Sequence, residues 1–353
     1  MKKKIAILLA CVLVFTSLTA CGSEPKEERV LNIYSWDQVY PQEVLDDFKA
    51  ETGITVNFSA FDSNETMLSK LEASGGADYD IVCADDYILE PITKKGLAQE
   101  IAVDKLSNYG NLNPKFQGQY FDPDNKYTVP YSAGIQTIIY DPEKVPFEIK
   151  SFNDLLDPRL KDSIGMNNNM LIMMGLSLIA DGHSVASENP DEIAAAGQKL
   201  IDMAPNVHAI KDSGLEEDLV AGEISVGLLY TNQNYLALQS NPNLKVVMPE
   251  EGVGYGTMVQ FIPSKAKNVD EAYEFMDYLL RPEVAKKCTQ LVANYSVNKE
   301  ADKLFSEEEK ASLTVPENLD KDKMQAMTSF SEEAMNQRSE LWTKFKNATG
   351  KAK

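Results

Sequence analysis

The sequence is short of the residues that carry most side-chain chemistry. Its 353 residues include two histidines and four cysteines. His183 and His208 lie far apart, with no Cys or Asp cluster around either, so no zinc site is expected. With so few imidazoles, His-based acid–base work has few candidates. There is no G-x-S-x-G elbow, no H-E-x-x-H, no Gly-rich phosphate loop and no recognisable Cys–His signature. Asp85 and Asp86 are adjacent, and in an extended chain they would point to opposite sides, which makes a poor catalytic dyad. These absences favour a binding module over an enzyme, with no cofactor and no metal. Basic residues are also scarce: 34 Lys and Arg stand against 54 Asp and Glu, for a net charge of −20. That balance argues against nucleic acid as a partner and otherwise reflects solubility. After the first twenty residues no apolar run is long enough to span a bilayer.

The N-terminus has the organisation of a targeting signal. Lys2, Lys3 and Lys4 precede an apolar run from Ile5 to Phe15, and small residues lead up to Ala20. Residues 1–20 therefore read as a signal peptide, whose loss takes the charge from −20 to −23. Leu18-Thr19-Ala20-Cys21 resembles the lipobox of bacterial lipoproteins, which implies cleavage before Cys21 and a lipid on its thiol. Residues 21–29, polar and charged, read as a tether. Cys11 leaves with the signal. Cys83 in an apolar strand and Cys288 in a helical stretch read as buried free thiols, with a disulfide between them left open.

From Val30 the chain alternates strand and helix. Val30–Trp36 reads as a strand. Pro41–Glu51 reads as a helix with Val44, Leu45 and Phe48 on one face and Gly53 to end it. Ile54–Phe58 is a second strand. Asp62 and Glu65 form a capping-box-like start for a helix carrying Met67, Leu68 and Leu71, which Gly75 and Gly76 terminate. Tyr79–Ala84 is a third strand, apolar enough to be covered on both faces. This βαβαβ rhythm predicts a parallel, doubly wound sheet, and ligands bind such sheets beyond the carboxyl ends of the strands. Trp36-Asp37 and Asp85-Asp86-Tyr87 then share one rim.

The rhythm repeats: strands at Thr137–Tyr140, Ile164–Met166, Ile224–Tyr230 and Lys245–Met248, an Asn167-Asn168-Asn169 cap before a helix, and helices over Val269–Leu280 and Pro282–Leu291. The length suits two α/β lobes with a cleft between them. On the rim, Trp36, Tyr87 and Tyr230 offer π faces that attract ammonium groups, and Asp37 and Asp85 can accept charge-assisted hydrogen bonds. Each has a plainer reading beside it, as core ring or helix cap. Their coincidence at strand ends is what favours an organic amine as ligand.

Five segments occur in an order and spacing that resemble bacterial spermidine/putrescine-binding proteins, the solute receptors of polyamine ABC importers. They are Asn32-Ile33-Tyr34-Ser35-Trp36, Ser63-Asn64-Glu65-Thr66-Met67, Tyr79-Asp80-Ile81-Val82, Val129-Pro130-Tyr131 and Leu279-Leu280-Arg281-Pro282-Glu283-Val284-Ala285. The resemblance covers nearly the whole mature chain. It implies a two-lobed periplasmic-binding-protein-like fold of type II that closes on its ligand. The first lobe would comprise residues 30–134 plus 260–299, and the second 135–259 plus 300–346. It also implies a monomeric, extracytoplasmic, lipid-anchored receptor that docks on a membrane permease.

The family's site matches in part. Its strand-end Trp corresponds to Trp36, the acid two residues later to Gln38, and the following aromatic to Val39. Its Ser-x-Tyr corresponds to Asp85 and Tyr87. Its second-lobe acids fall near Asn168 and Leu171, and its second-lobe Trp corresponds to Tyr230. The Trp and Asp before the return crossing fall near Gly256 and Met258, with Tyr255 and Tyr295 close by. Four acidic positions are thus neutral, and a buried ammonium without a paired charge costs several kcal/mol. Two alternatives follow: Asp37, Asp85 and Asp86 replace the anchors, or the solute is less charged than a polyamine.

Overall fold

The computed structural model describes residues 29–315, 323–326, 328 and 330–350; the signal segment, Cys21 and the tether up to residue 28 lie outside the described residues. Strand β1 (Val30–Ser35) is followed by helix α1 (Gln42–Thr52), which buries Val44 and Phe48. Gly53 closes α1 at φ 75°, its N–H bonded to the Lys49 carbonyl. Strand β2 (Thr55–Ala60) and helix α2 (Asn64–Ser74) come next. The cap of α2 is Ser63, whose hydroxyl accepts from the Thr66 N–H at 3.1 Å, one residue beyond the Asp62 start expected from the sequence. Strand β3 (Ile81–Asp85) pairs parallel with β1, as β2 does on its other side. A short turn of 3-10 helix over Asp86–Ile88 leads into α3 (Leu89–Lys94).

Strand β4 (Val129–Tyr140) is far longer than the Thr137–Tyr140 segment expected. Pro130 and Gly134 hide it in the sequence, because neither suits an ordinary strand interior. The ladder accommodates Pro130 with a register shift between Pro130 and Ser132. The second lobe follows as β5 (Ile164–Asn167), α4 (Met170–Ala180), α5 (Pro190–Met203), β6 (Val207–Lys211), α6 (Leu215–Ala221), β7 (Val226–Tyr230), α7 (Thr231–Ser240) and β8 (Lys245–Val247). Strand β9 (Val253–Phe261) returns to the first lobe, which adds α8 (Val269–Leu279) and α9 (Pro282–Val292). Helix α10 (Glu307–Leu313), strand β10 (Met324–Ala326) and helix α11 (Glu332–Thr349) complete the described chain.

The strand order is β2-β1-β3-β9-β4-β7-β5-β6. The first half of β4 pairs antiparallel with β9 up to Ile135–Tyr255, and its second half pairs antiparallel with β7 from Gln136–Tyr230 onward. The sheet is therefore mixed rather than wholly parallel: two parallel wings are joined through an antiparallel pair of long strands. Both wings are covered on two faces. In β1, Leu31 and Ile33 face a core with Phe48 and Phe275, while Tyr34 faces one with Met67 and Val82. In β4, Ile138 and Ile139 likewise enter opposite cores, and α11 lays Trp342 and Phe345 on the Ile138 side. Cys83 and Cys288 are buried free thiols in the first core. His183 faces Glu192 and His208 faces Asp162, and no metal-holding cluster occurs among the described residues. No described helix is long and apolar enough to cross a membrane.

Asp80, only 2% exposed, ties the first wing to the chain that returns to it. Its carboxylate accepts from the Asn32 N–H and side chain at 2.8 and 2.9 Å, and from the N–H groups of Lys267 and Asn268 at 3.1 and 2.9 Å. Burial raises its pKa, but the bonds from Asn268 and Asn32 outweigh it and the net shift is downward. Asp80→Ala leaves several buried donors unpaired and should lower stability by roughly 2–4 kcal/mol in urea unfolding. A change below about 1 kcal/mol would contradict this role.

Candidate functional site

A cavity of about 730 Å³ opens between the two lobes. Its floor is the crossing pair, through Ile135 and Gln136 of β4 and Tyr255, Gly256 and Met258 of β9. The first lobe contributes Glu65, Asp85, Asp86 and Tyr87; the second contributes Asn169, Leu171, Ile172 and Tyr230. The segment from β10 into α11 borders it with Thr328, Phe330 and Met335. That segment is held by the parallel β10–β9 pairing, by the Val185 N–H donating to the Gln325 side chain at 2.8 Å, and by the Arg338 guanidinium 4.2 Å over the Phe330 ring.

Polar groups on the first-lobe wall form a chain. Asn64 Nδ2 donates to the Asp85 carboxylate at 2.9 Å and lies 3.0 Å from the Tyr87 hydroxyl. That hydroxyl donates to Glu65 Oε1 at 3.2 Å. Burial raises the Asp85 pKa, opposed by its bonds from Asn64 and from the Trp36 indole. Asp86 is 3% exposed, and its Oδ2 accepts from the Thr257 N–H at 2.8 Å. Burial pushes its carboxyl up to about 7, the Thr257 bond opposes the shift, and the neighbouring Asp85 charge adds to it. Burial also pushes the hydroxyls of Tyr87 and Tyr255 up to about 12, so both stay protonated. On the second lobe, Asn169 donates to the Tyr230 hydroxyl at 3.1 Å. Gln136, 3% exposed, has both side-chain polar atoms buried without a partner. A buried amide without a partner is costly, and Gln136 also lines the cavity.

Of the residues singled out from the sequence, Asp85, Asp86, Tyr87, Leu171, Tyr230, Tyr255, Gly256 and Met258 line this cavity. Trp36 does not line it; its ring packs on Phe61 at 4.6 Å between centroids, and its indole acts to lower the Asp85 pKa. Asp37 and Gln38 are exposed in the turn before α1, Gln38 at φ 54°, and neither lines the cavity. Asn168 is exposed too: the strand ends at Asn167, buried against Gln233, the chain turns outward at Asn168, and Asn169 caps α4 at the cavity wall. Tyr295 is buried at 4% exposure and braces β4 through paired backbone bonds with Ala133. Glu65 and Gln136 were not foreseen. Asp85 and Asp86, expected on one rim though not on one side of an extended chain, both line the cavity because the strand ends at Asp85 and the chain turns at Asp86.

A family described as bacterial extracellular solute-binding protein matches residues 43–316. The chain belongs to that family. The spermidine/putrescine-binding periplasmic protein of Salmonella typhimurium is 33% identical over 309 residues, 87% of this chain and 88% of that protein. The putrescine-binding periplasmic protein PotF of Escherichia coli is 29% identical over 328 residues, 87% of each. Among solved structures, the spermidine/putrescine ABC transporter substrate-binding protein PotD of Streptococcus pneumoniae matches with a TM-score of 0.83 at 29% identity, covering 91% of this chain and 99% of that one. For a solute-binding protein the interlobe cavity is where a ligand would be enclosed.

In this solute-binding protein the cavity carries a cost to stability. Between the ordinary carboxylate pKa of about 4 and the Asp86 value of about 7, the folded chain holds a proton that the unfolded chain has lost. Stability contributed by Asp86 is therefore lost as pH rises through that window. Asp86→Asn, which keeps an acceptor for Thr257, should raise the melting temperature of the ligand-free protein at pH 8 and change it little at pH 4. A lower melting temperature at pH 8 would contradict this.

Proposed function

We propose that this protein is the extracytoplasmic receptor of an ABC importer, capturing a polyamine such as putrescine or spermidine by lobe closure and delivering it to the membrane permease. The observation that carries the proposal is the cavity itself: three carboxylates and three tyrosine rings face one interlobe space, and no lysine or arginine lines it among the described residues. Carboxylates neutralise ammonium groups, and ring faces cover both the cation and its methylenes. The relatives named for spermidine and putrescine support the same ligand class. A less charged solute is not favoured, because the acids absent at the family positions are replaced by Glu65, Asp85 and Asp86 on the facing wall.

In this reading Asp85, Tyr87, Tyr230, Tyr255 and Met258 contact the ligand, while Trp36 holds the Asp85 carboxylate in place. The lobes are residues 30–134 plus 260–299 and 135–259 plus 300–346, with the change of partner in β4 near Ile135 as the hinge. The receptor acts as a monomer without catalysis, anchored by a lipid on Cys21.

Titration calorimetry against putrescine and spermidine is the test. Binding of at least one is expected, and Asp85→Ala should weaken it about 100-fold or more, since an ammonium enclosed without its partner loses roughly 3–5 kcal/mol. Absence of heat at millimolar ligand would overturn the polyamine assignment. Wild-type affinity in Asp85→Ala would remove Asp85 from the site.

A further inference from the structure

Among the described residues, the carboxylates that line the cavity stand on one wall. Glu65 comes from α2, Asp85 from the end of β3 and Asp86 from the turn after it, while the facing wall of Asn169, Leu171, Ile172 and Tyr230 is uncharged. We propose that the ammonium groups of the solute are selected by the first lobe alone, with Asp86 as the specificity-determining residue, and that capture of the cation drives a proton off this wall. The proposal rests on the amine reading above and goes beyond it in assigning the charge recognition to one lobe and to a residue coupled to a proton.

The surroundings of Asp86 make it the proton carrier. It is almost wholly enclosed, and its one strong fixed contact is the Thr257 N–H of β9. The titratable groups around it are Asp85 beside it, Tyr87 on the same turn, Tyr255 on β9, and Tyr120 from the loop before β4, itself in the field of Glu90. Glu65 lies beyond Asp85 through the Tyr87 hydroxyl. Each of these is neutral or negative, so nothing in the set favours the ionised form of Asp86 except the backbone donors. An arriving ammonium does. As it settles, the carboxylic acid of Asp86 releases its proton to solvent and the resulting carboxylate takes the cation. The neutral wall then closes on the methylene side, where Leu171 and Ile172 cover apolar surface without charge to desolvate.

With a carboxyl near 7, binding at pH 7 should release roughly half a proton, and affinity should fall as pH drops from 8 to 5. The experiment is titration calorimetry of the whole chain with putrescine at pH 7, in buffers of different ionisation enthalpy. Asp86→Asn, nearly isosteric and able to keep the Thr257 bond, should weaken binding at least tenfold and bring proton release close to zero. Affinity within twofold of wild type would overturn the proposal. So would weakened binding with unchanged proton release, which would make Asp86 only a brace for Thr257. If the wild-type chain takes up no putrescine or spermidine, the amine reading falls and this proposal falls with it; binding without proton release overturns this proposal alone.

Discussion

The antiparallel pairing of β4 with β9 places every part of the cavity. These two strands cross between the wings in opposite directions, and their hydrogen bonds hold two otherwise separate α/β cores in one molecule. The pair forms the cavity floor with its own side chains. It also sets where β3 and β7 end, since β3 ladders on β9 and β7 on β4. The carboxyl ends of both wings therefore point at the same space, which brings Asp85 and Tyr230 to opposite sides of one cleft. Few residues can bend where β4 changes partner, and Gly134 opposite Gly256 supplies the room. A two-strand crossing of this kind is a natural hinge, because closure needs small backbone changes in a few residues while the packed cores move as units.

The electrostatics follow from that geometry. Strand ends at a cleft are enclosed without being paired, so carboxylates placed there lose water without gaining a counter-charge. Asp85 and Asp86 bear this cost in the ligand-free protein, softened by Asn64, the Trp36 indole and the Thr257 N–H. On the proposed polyamine reading, that cost is recovered when a cation enters. A residue that lowers the stability of the empty protein and raises its affinity for the solute is the expected behaviour of a binding site set against its own fold. The register adds a detail: Asp85 lies directly across the ladder from Met258, close to where the resemblance put a family acid.

Much of this was legible in the sequence, for identifiable reasons. The first wing could be read because its helices repeat apolar residues at helical spacing and end on glycines that adopt left-handed geometry, as Gly53 and Gly75 do. The rim position of Asp85, Tyr87 and Tyr230 followed from topology. The crossing strands were largely hidden, since Pro130, Gly134, Gly254 and Gly256 interrupt their alternation and the two strands lie more than a hundred residues from each other in the chain. Asp37 follows directly on a strand end that sequence places at the ligand rim, but the turn carries it into solvent. Asp86 is the opposite case: it lies one residue past the point where the strand stops, so the outward turn of extended geometry does not apply to it. Side-chain direction at a strand end depends on a single backbone torsion, which composition and spacing do not encode.

The account centres on a cavity whose charge recognition belongs to one lobe. A crystal structure of the complex with putrescine tests that claim most directly. Both ligand nitrogens should lie within hydrogen-bonding reach of Glu65, Asp85 or Asp86, with the methylenes against Leu171 and Ile172. Nitrogens held instead by Asn169 and Tyr230, with the methylenes turned toward the carboxylate wall, would contradict it.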